Sequence, residues 1–269
     1  MDDIVPIPNH LENRPRLDSG SPSGAAETDS RNLIAEFDPD SQSAPDCAGF
    51  RGIRVFRDFL TPAESDDLLR EIEQENFVKA QSGKQKQHHG PKINFNKKKM
   101  NAKNFHGIPA YASRIEDRLR QLAAADPPRD PIDRSEFSTA LDAFETTDVF
   151  VLQYHERDES NLDFHLDDTF AYGELILDLS LESDSVLTFL RNRPGAGPKV
   201  TECVRVGLPA RSLAAVYGQA RFDWEHAILS YDITGRRTSV TLRTLHENLL
   251  RTEDGQRVAG LARRSRIPL

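Results

Sequence analysis

Two cysteines, Cys47 and Cys203, are all that 269 residues contain. So few exclude a disulfide framework or a four-cysteine zinc site, and they suit a reducing compartment. No uninterrupted apolar run approaches the roughly 18 residues of a membrane helix. The opening Met1-Asp2-Asp3-Ile4-Val5-Pro6 has neither the basic nor the apolar region of a secretory signal. These absences predict a cytoplasmic or nuclear protein without a membrane partner. Net charge is −8, which argues against indiscriminate nucleic-acid binding by the whole surface. No internal repeat is visible.

Acidic residues are missing from one internal stretch. Between Asn76 and Ile115 there is none, while Lys79, Lys84, Lys86, Lys92, Lys97, Lys98, Lys99, Lys103 and Arg114 all fall there. Gly83, Gly90 and Pro91 interrupt regular structure, and Ile93, Phe95 and Phe105 supply apolar anchors. A mere linker has no use for such anchors, so residues 77–106 read as a mobile basic flap. The plainer alternative is a solvated loop whose charge aids solubility. His88 and His89, adjacent within it, read as surface residues rather than metal ligands.

Residues 1–46 are rich in Pro, Ser, Asp and Asn and bury too little to offset their ordering entropy, which predicts a disordered leader. Gly52-Ile53-Arg54-Val55-Phe56 reads as a short strand. Thr61-Pro62-Ala63-Glu64 is a helix start, with a capping threonine, a first-turn proline and a glutamate three residues after the cap. Leu68, Leu69 and Ile72 give that helix an apolar stripe. Tyr111, Ile115, Leu119 and Leu122 predict a second helix after Pro109. Residues 126–143 read as a connection.

From there the rhythm changes to strands. The expected set is Asp148–Tyr154, Leu162–Asp167, Gly173–Leu181, Ser185–Leu190, Thr201–Leu208, Ser212–Tyr217, Asp223–Ile228 and Arg237–Thr244. Two helices followed by about eight short strands predict an α+β fold. Its core would be a double-stranded β-helix (jelly-roll) barrel with N-terminal supporting helices. That unit would span 47–250, leaving 251–269 as a basic tail.

Chemistry concentrates in three places. In Phe164-His165-Leu166-Asp167-Asp168, strand alternation would set His165 and Asp167 on one face. Alone, this pair is as readily a solvated strand end. His226 supplies a third donor farther along, and two histidines with one carboxylate are the donor set of non-haem Fe(II) oxygenases. In the last strand Arg237, Ser239, Thr241 and Arg243 share one face and Val240 and Leu242 the other. The arginines face either water or a barrel interior, where a buried guanidinium needs a carboxylate partner.

On these residues the chain resembles the AlkB-like Fe(II)- and 2-oxoglutarate-dependent dioxygenases, in the branch of the fourth AlkB homologue. The resemblance runs from about Phe50 to Leu249. It rests on His165-Leu166-Asp167-Asp168, His226 and the Arg-x5-Arg of Arg237 and Arg243. The branch-level match is Gln81-Ser82-Gly83, Gly90-Pro91-Lys92-Ile93-Asn94-Phe95 and Leu208-Pro209-Ala210-Arg211-Ser212-Leu213. It implies that His165, Asp167 and His226 ligate iron and that Arg237 anchors the distal carboxylate of 2-oxoglutarate. Arg243 would stand beside Asp167, and Tyr154 would help to hold the cosubstrate. Leu152 and Ser239 replace asparagines common in the family, which implies weaker cosubstrate affinity.

The implied reaction is oxidative N-demethylation with release of formaldehyde. The branch points to methyl-lysine in protein, actin included, and the wider family to N-methylated bases in DNA or RNA. Lys92, Asn94, Phe95, Lys97, Lys98 and Lys99 would form the substrate-facing part of the flap, suited to either acidic partner. A third reading, a non-catalytic binding module on the same fold, is disfavoured by the complete set of ligands and arginines.

Overall fold

The computed structural model describes residues 32–266, apart from 48, 129 and 194–199. Two sheets, one mixed and one purely antiparallel, form the framework of the described residues. The strands are β1 (Asn32–Glu36), β2 (Ile53–Phe56), β3 (Val78–Lys79), β4 (Gln85–His89), β5 (Lys92–Asn94), β6 (Lys99–Asn101) and β7 (Asp148–His155). They continue with β8 (Leu162–His165), β9 (Tyr172–Leu181), β10 (Ser185–Arg193), β11 (Val200–Leu208), β12 (Leu213–Val216), β13 (Glu225–Ile228) and β14 (Arg236–Leu245). The helices are α1 (Pro62–Ile72), α2 (Ala110–Ala125), α3 (Pro131–Asp142), α4 (Gly218–Phe222), α5 (Glu247–Leu250) and α6 (Glu253–Arg264). One sheet runs β1-β11-β10-β13-β8 and the other β2-β12-β9-β14-β7-β4-β3, with β5 and β6 as a separate hairpin. All pairings are antiparallel except β1 with β11.

Period-two alternation divides the seven-stranded sheet into two working faces. Val149, Val151, Leu177, Leu179, Val240 and Leu242 join one core cluster with Leu68, Ile72, Ile115 and Leu119 of the helices. Leu152, Tyr154, Ile176 and Val216 join a second cluster with Leu187, Phe189, Val204 and Ile228 of the five-stranded sheet. Helices therefore cover the outer face and the other sheet covers the inner one. Each fully buried Leu or Val stabilises this arrangement by about 1.5–3 kcal/mol. On β14 the apolar face meets the helices, so its arginine face is forced inward between the sheets.

The start of α1 is as expected: Thr61 caps Glu64 and the Glu64 carboxylate accepts from the Thr61 backbone, with Pro62 in the first turn. Gln87 of β4 donates to the Ile72 and Glu75 carbonyls at 2.8 and 2.9 Å, fixing the end of α1 to the sheet.

Four expectations need correction. The stretch 126–143 is not a plain connection but contains α3, capped by Asp130, which accepts from Ile132 and Asp133. Part of the expected disordered leader is ordered, since β1 pairs along β11; residues 1–31 lie outside the described residues. The expected tail contains α6, with Val258, Ala259 and Ala262 buried. The strand bearing His165 ends at that residue, so Asp167 lies in the loop beyond it.

Candidate metal and cosubstrate site

His165 closes β8 and His226 lies on β13, and the two are register partners in the five-stranded sheet. Their rings stand 4.5 Å apart, centroid to centroid. Asp167 cannot use strand alternation to reach them, because the strand has ended. Arg221 of α4, itself buried, donates to the Asp167 carbonyl at 2.7 Å and to that of Asp168 at 3.4 Å. The Asp168 carboxylate accepts from the backbone of Phe170 and Ala171, turning the chain sharply. These bonds bring one ligand atom from each of His165, Asp167 and His226 within 4.8 Å of one another.

The protonation states suit a cation. His165 Nδ1 donates to the Asp163 carbonyl at 2.9 Å, which leaves Nε2 as the atom available to a metal. Burial and the nearby His165 hold His226 neutral, with its pKa pushed down to about 3 against the pull of Asp167. Its buried Nδ1 lacks a hydrogen-bond partner, and its Nε2 lies 3.6 Å from Asp167 Oδ2. Burial raises the Asp167 carboxyl, but the Arg243 guanidinium beside it outweighs this and holds the group well below the usual range. Two imidazoles and an ionised carboxylate gathered in one place fit Fe(II).

The opposite wall belongs to the other sheet. A cavity of about 630 Å³ separates these three candidate donors from Tyr154 on β7, Asp178 on β9 and Arg237, Ser239, Thr241 and Arg243 on β14. Arg243 meets Asp167 at 2.9 Å and Asp148 at 3.5 Å and lies over the Tyr172 ring. Arg237 is fully buried and lies over the Tyr154 ring, with Nε donating to Ser180 and Nη2 to Asp178, both at 3.0 Å. Burial pushes the Tyr154 hydroxyl up to about 12. Leu152 and Ser239 also line this space.

The expected flap is partly built into the sheet. Strand β4 pairs with β7, and the β5–β6 hairpin follows it. Lys92 and Phe95 line the cavity and Phe95 is 47% exposed. Asn94 accepts from the Lys97 backbone within the hairpin turn, Lys98 reaches toward the Phe170 ring, and Lys99 is exposed. Lys84 is buried and donates to the Asn161 carbonyl, so it is no part of the basic surface.

His88 is exposed, as expected, yet its partner was not foreseen. It lines the cavity, and its Nε2 meets the buried Asp148 at 2.7 Å. Gly90 makes this possible, since a Cβ there would lie 2.0 Å from Asp148 Oδ2. Sequence reasoning also missed Asp178, Asp148 and Arg221. For Asp178 a signal was present: a carboxylate in phase with Ile176 and Ser180, set between two leucines of an expected strand.

No family model matches this sequence. Human alpha-ketoglutarate-dependent dioxygenase alkB homolog 4 is 31% identical over 220 residues, which are 73% of this chain and 68% of that protein. The mouse protein of the same name is 28% identical over 225 residues, 75% of this chain and 70% of its own. A DNA N6-methyl adenine demethylase of Caenorhabditis elegans is 29% identical over 192 residues, covering 71% of this chain and 59% of its own. A solved structure of OsALKBH1 aligns over 72% of this chain and 98% of its own, with a TM-score of 0.48 and 14% identity.

Proposed function

Because the chain belongs to the AlkB-like Fe(II)- and 2-oxoglutarate-dependent dioxygenases, in the branch of the fourth AlkB homologue, we propose that it removes N-methyl groups from lysine in protein. In this reading His165, Asp167 and His226 hold Fe(II), and the two sheets are the halves of a double-stranded β-helix. Arg237 and Tyr154 receive the distal carboxylate of 2-oxoglutarate. The observation that carries the reading is the pairing of three metal donors within 4.8 Å with a buried guanidinium across one cavity.

Bound iron and 2-oxoglutarate, with dioxygen, supply the oxidation that hydroxylates an N-methyl group, later lost as formaldehyde. The chain's own contribution is positional. Arg243 and Arg221 fix Asp167, one through its carboxylate and the other through its carbonyl. Buried Leu152, Ile176 and Leu187 limit water in the cavity. The lysines of the hairpin suit an acidic protein surface, actin being the substrate to which the branch points.

The second reading, demethylation of a base such as N6-methyladenine, draws on the nematode relative's name. An extruded base needs aromatic faces to stack on. Of the flap's aromatics, Phe105 is buried, Phe77 packs on the core and Phe95 is left at the cavity. That favours lysine. Formaldehyde release, measured with Fe(II) and 2-oxoglutarate across methyl-lysine peptides and N6-methyladenine oligonucleotides, separates the two. Release from oligonucleotides alone would overturn the lysine reading.

A further inference from the structure

We propose that Asp178 sets the affinity of the Arg237 clamp for a dicarboxylate, acting as a carboxylate of the chain's own that shares the guanidinium. This rests on the cosubstrate role proposed for Arg237. Asp178 lies between Leu177 and Leu179, which are fully buried on the helix-facing side of β9, so its own side chain turns into the cavity. Its Oδ2 takes Arg237 Nη2 at 3.0 Å and its Oδ1 accepts from the Thr241 hydroxyl at 3.2 Å. Ser180 accepts from Arg237 Nε.

Two consequences follow from charge alone. Without a ligand, the ion pair keeps a fully buried guanidinium from standing uncompensated, which would be strongly destabilising. With a diacid bound, one guanidinium must serve two carboxylates. Five N–H donors leave room for a second partner, so binding is not blocked. The two anions nevertheless repel each other at short range. Asp178 therefore stabilises the ligand-free protein and weakens the diacid complex.

The test uses the full chain with Mn(II) as a redox-silent metal. Calorimetric titration with 2-oxoglutarate should give a Kd about tenfold or more lower for Asp178→Asn than for wild type. The ligand-free variant should melt at a lower temperature, and the gap should narrow at saturating 2-oxoglutarate. Asp178→Ser should behave alike. Wild type alone offers an independent measurement with 2-oxoglutaramate, whose distal group is a neutral amide. A clamp already neutralised should favour the diacid over this amide by no more than about tenfold.

If wild type binds 2-oxoglutarate and the folded variants bind it equally or more weakly, Asp178 orients the guanidinium and the inference is wrong. A wild-type preference for the diacid near a thousandfold (~4 kcal/mol) would also overturn it. Absence of 2-oxoglutarate binding in wild type and variants alike would bring down the cosubstrate reading itself, a result distinct from the other two.

Discussion

Arg243 reaches from one sheet to Asp167 beside the other, and 2.9 Å separates guanidinium from carboxylate. The proposed metal site is thereby joined to the wall facing it. The same arginine meets Asp148, whose other oxygen takes His88. A proposed metal ligand, the arginine strand and the flap thus share one chain of contacts, and the variants below probe its parts.

His165→Ala, Asp167→Ala and His226→Ala should each reduce 2-oxoglutarate turnover to background while leaving the far-UV circular dichroism unchanged. Each removes one donor from a set of three. Zn(II) should compete for the same ligands and give an inactive protein. Near-wild-type turnover with unchanged iron content in any one variant would show that ligand to be misassigned.

Arg237→Lys should fail nearly as badly as Arg237→Ala, since a point charge cannot reproduce a planar fork. The requirement for 2-oxoglutarate should rise about tenfold or more. Full activity of the lysine variant at the wild-type cosubstrate concentration would rule out a guanidinium clamp.

Replacing Lys97, Lys98 and Lys99 together by glutamate should raise the KM for an acidic substrate and leave uncoupled 2-oxoglutarate turnover unaltered. The effect should fade with salt, because exposed charges are screened beyond about 8–10 Å near physiological ionic strength. Identical salt curves for wild type and variant would reduce the basic hairpin to ordinary surface.

Glu116 is a structural hub rather than a site residue. Its carboxylate accepts from Arg120, Arg266 and both the backbone and hydroxyl of Thr146, and it is 1% exposed. Burial raises its pKa, but the hydrogen bonds from Arg266, the Thr146 backbone and Arg120 win and hold it below the ordinary glutamate value. A depressed carboxyl stabilises fully above its unfolded-state pKa, and that contribution is lost as pH falls through the folded-state value. Glu116→Gln should cost about 3 kcal/mol in urea unfolding at pH 7. The difference should shrink below about pH 4; a pH-independent difference would show that ionisation of Glu116 is not involved.

The grouping of His165, Asp167 and His226 was legible because His-x-Asp and a distant histidine leave few alternatives once an alternating arginine strand follows. The reason given for His165 and Asp167 lying together was nevertheless incomplete. Arg221, buried on a five-residue helix, holds the loop that brings Asp167 round, and no local pattern announces an arginine bonded to carbonyls. The contact of His88 with Asp148 went unforeseen for a related reason. Lysine neighbours made the stretch look solvated, and His88 is indeed exposed, but pairing with β7 sets Lys86 and His88 beside the cavity. Helix α3 escaped notice because only Phe137, Ala140 and Leu141 are buried along it, too sparse an apolar stripe to read.

Strand β1 had no local signal either, because its partner β11 lies far along the chain. Its five residues form the outer margin of that sheet and shield the nine-residue β11. Long unpaired margins invite pairing with another molecule, and short ones discourage it. Proteolytic loss of the segment before Phe50 would therefore do more than trim an end. It would bare the β11 backbone as a template for self-association, and insolubility would precede any loss of chemistry.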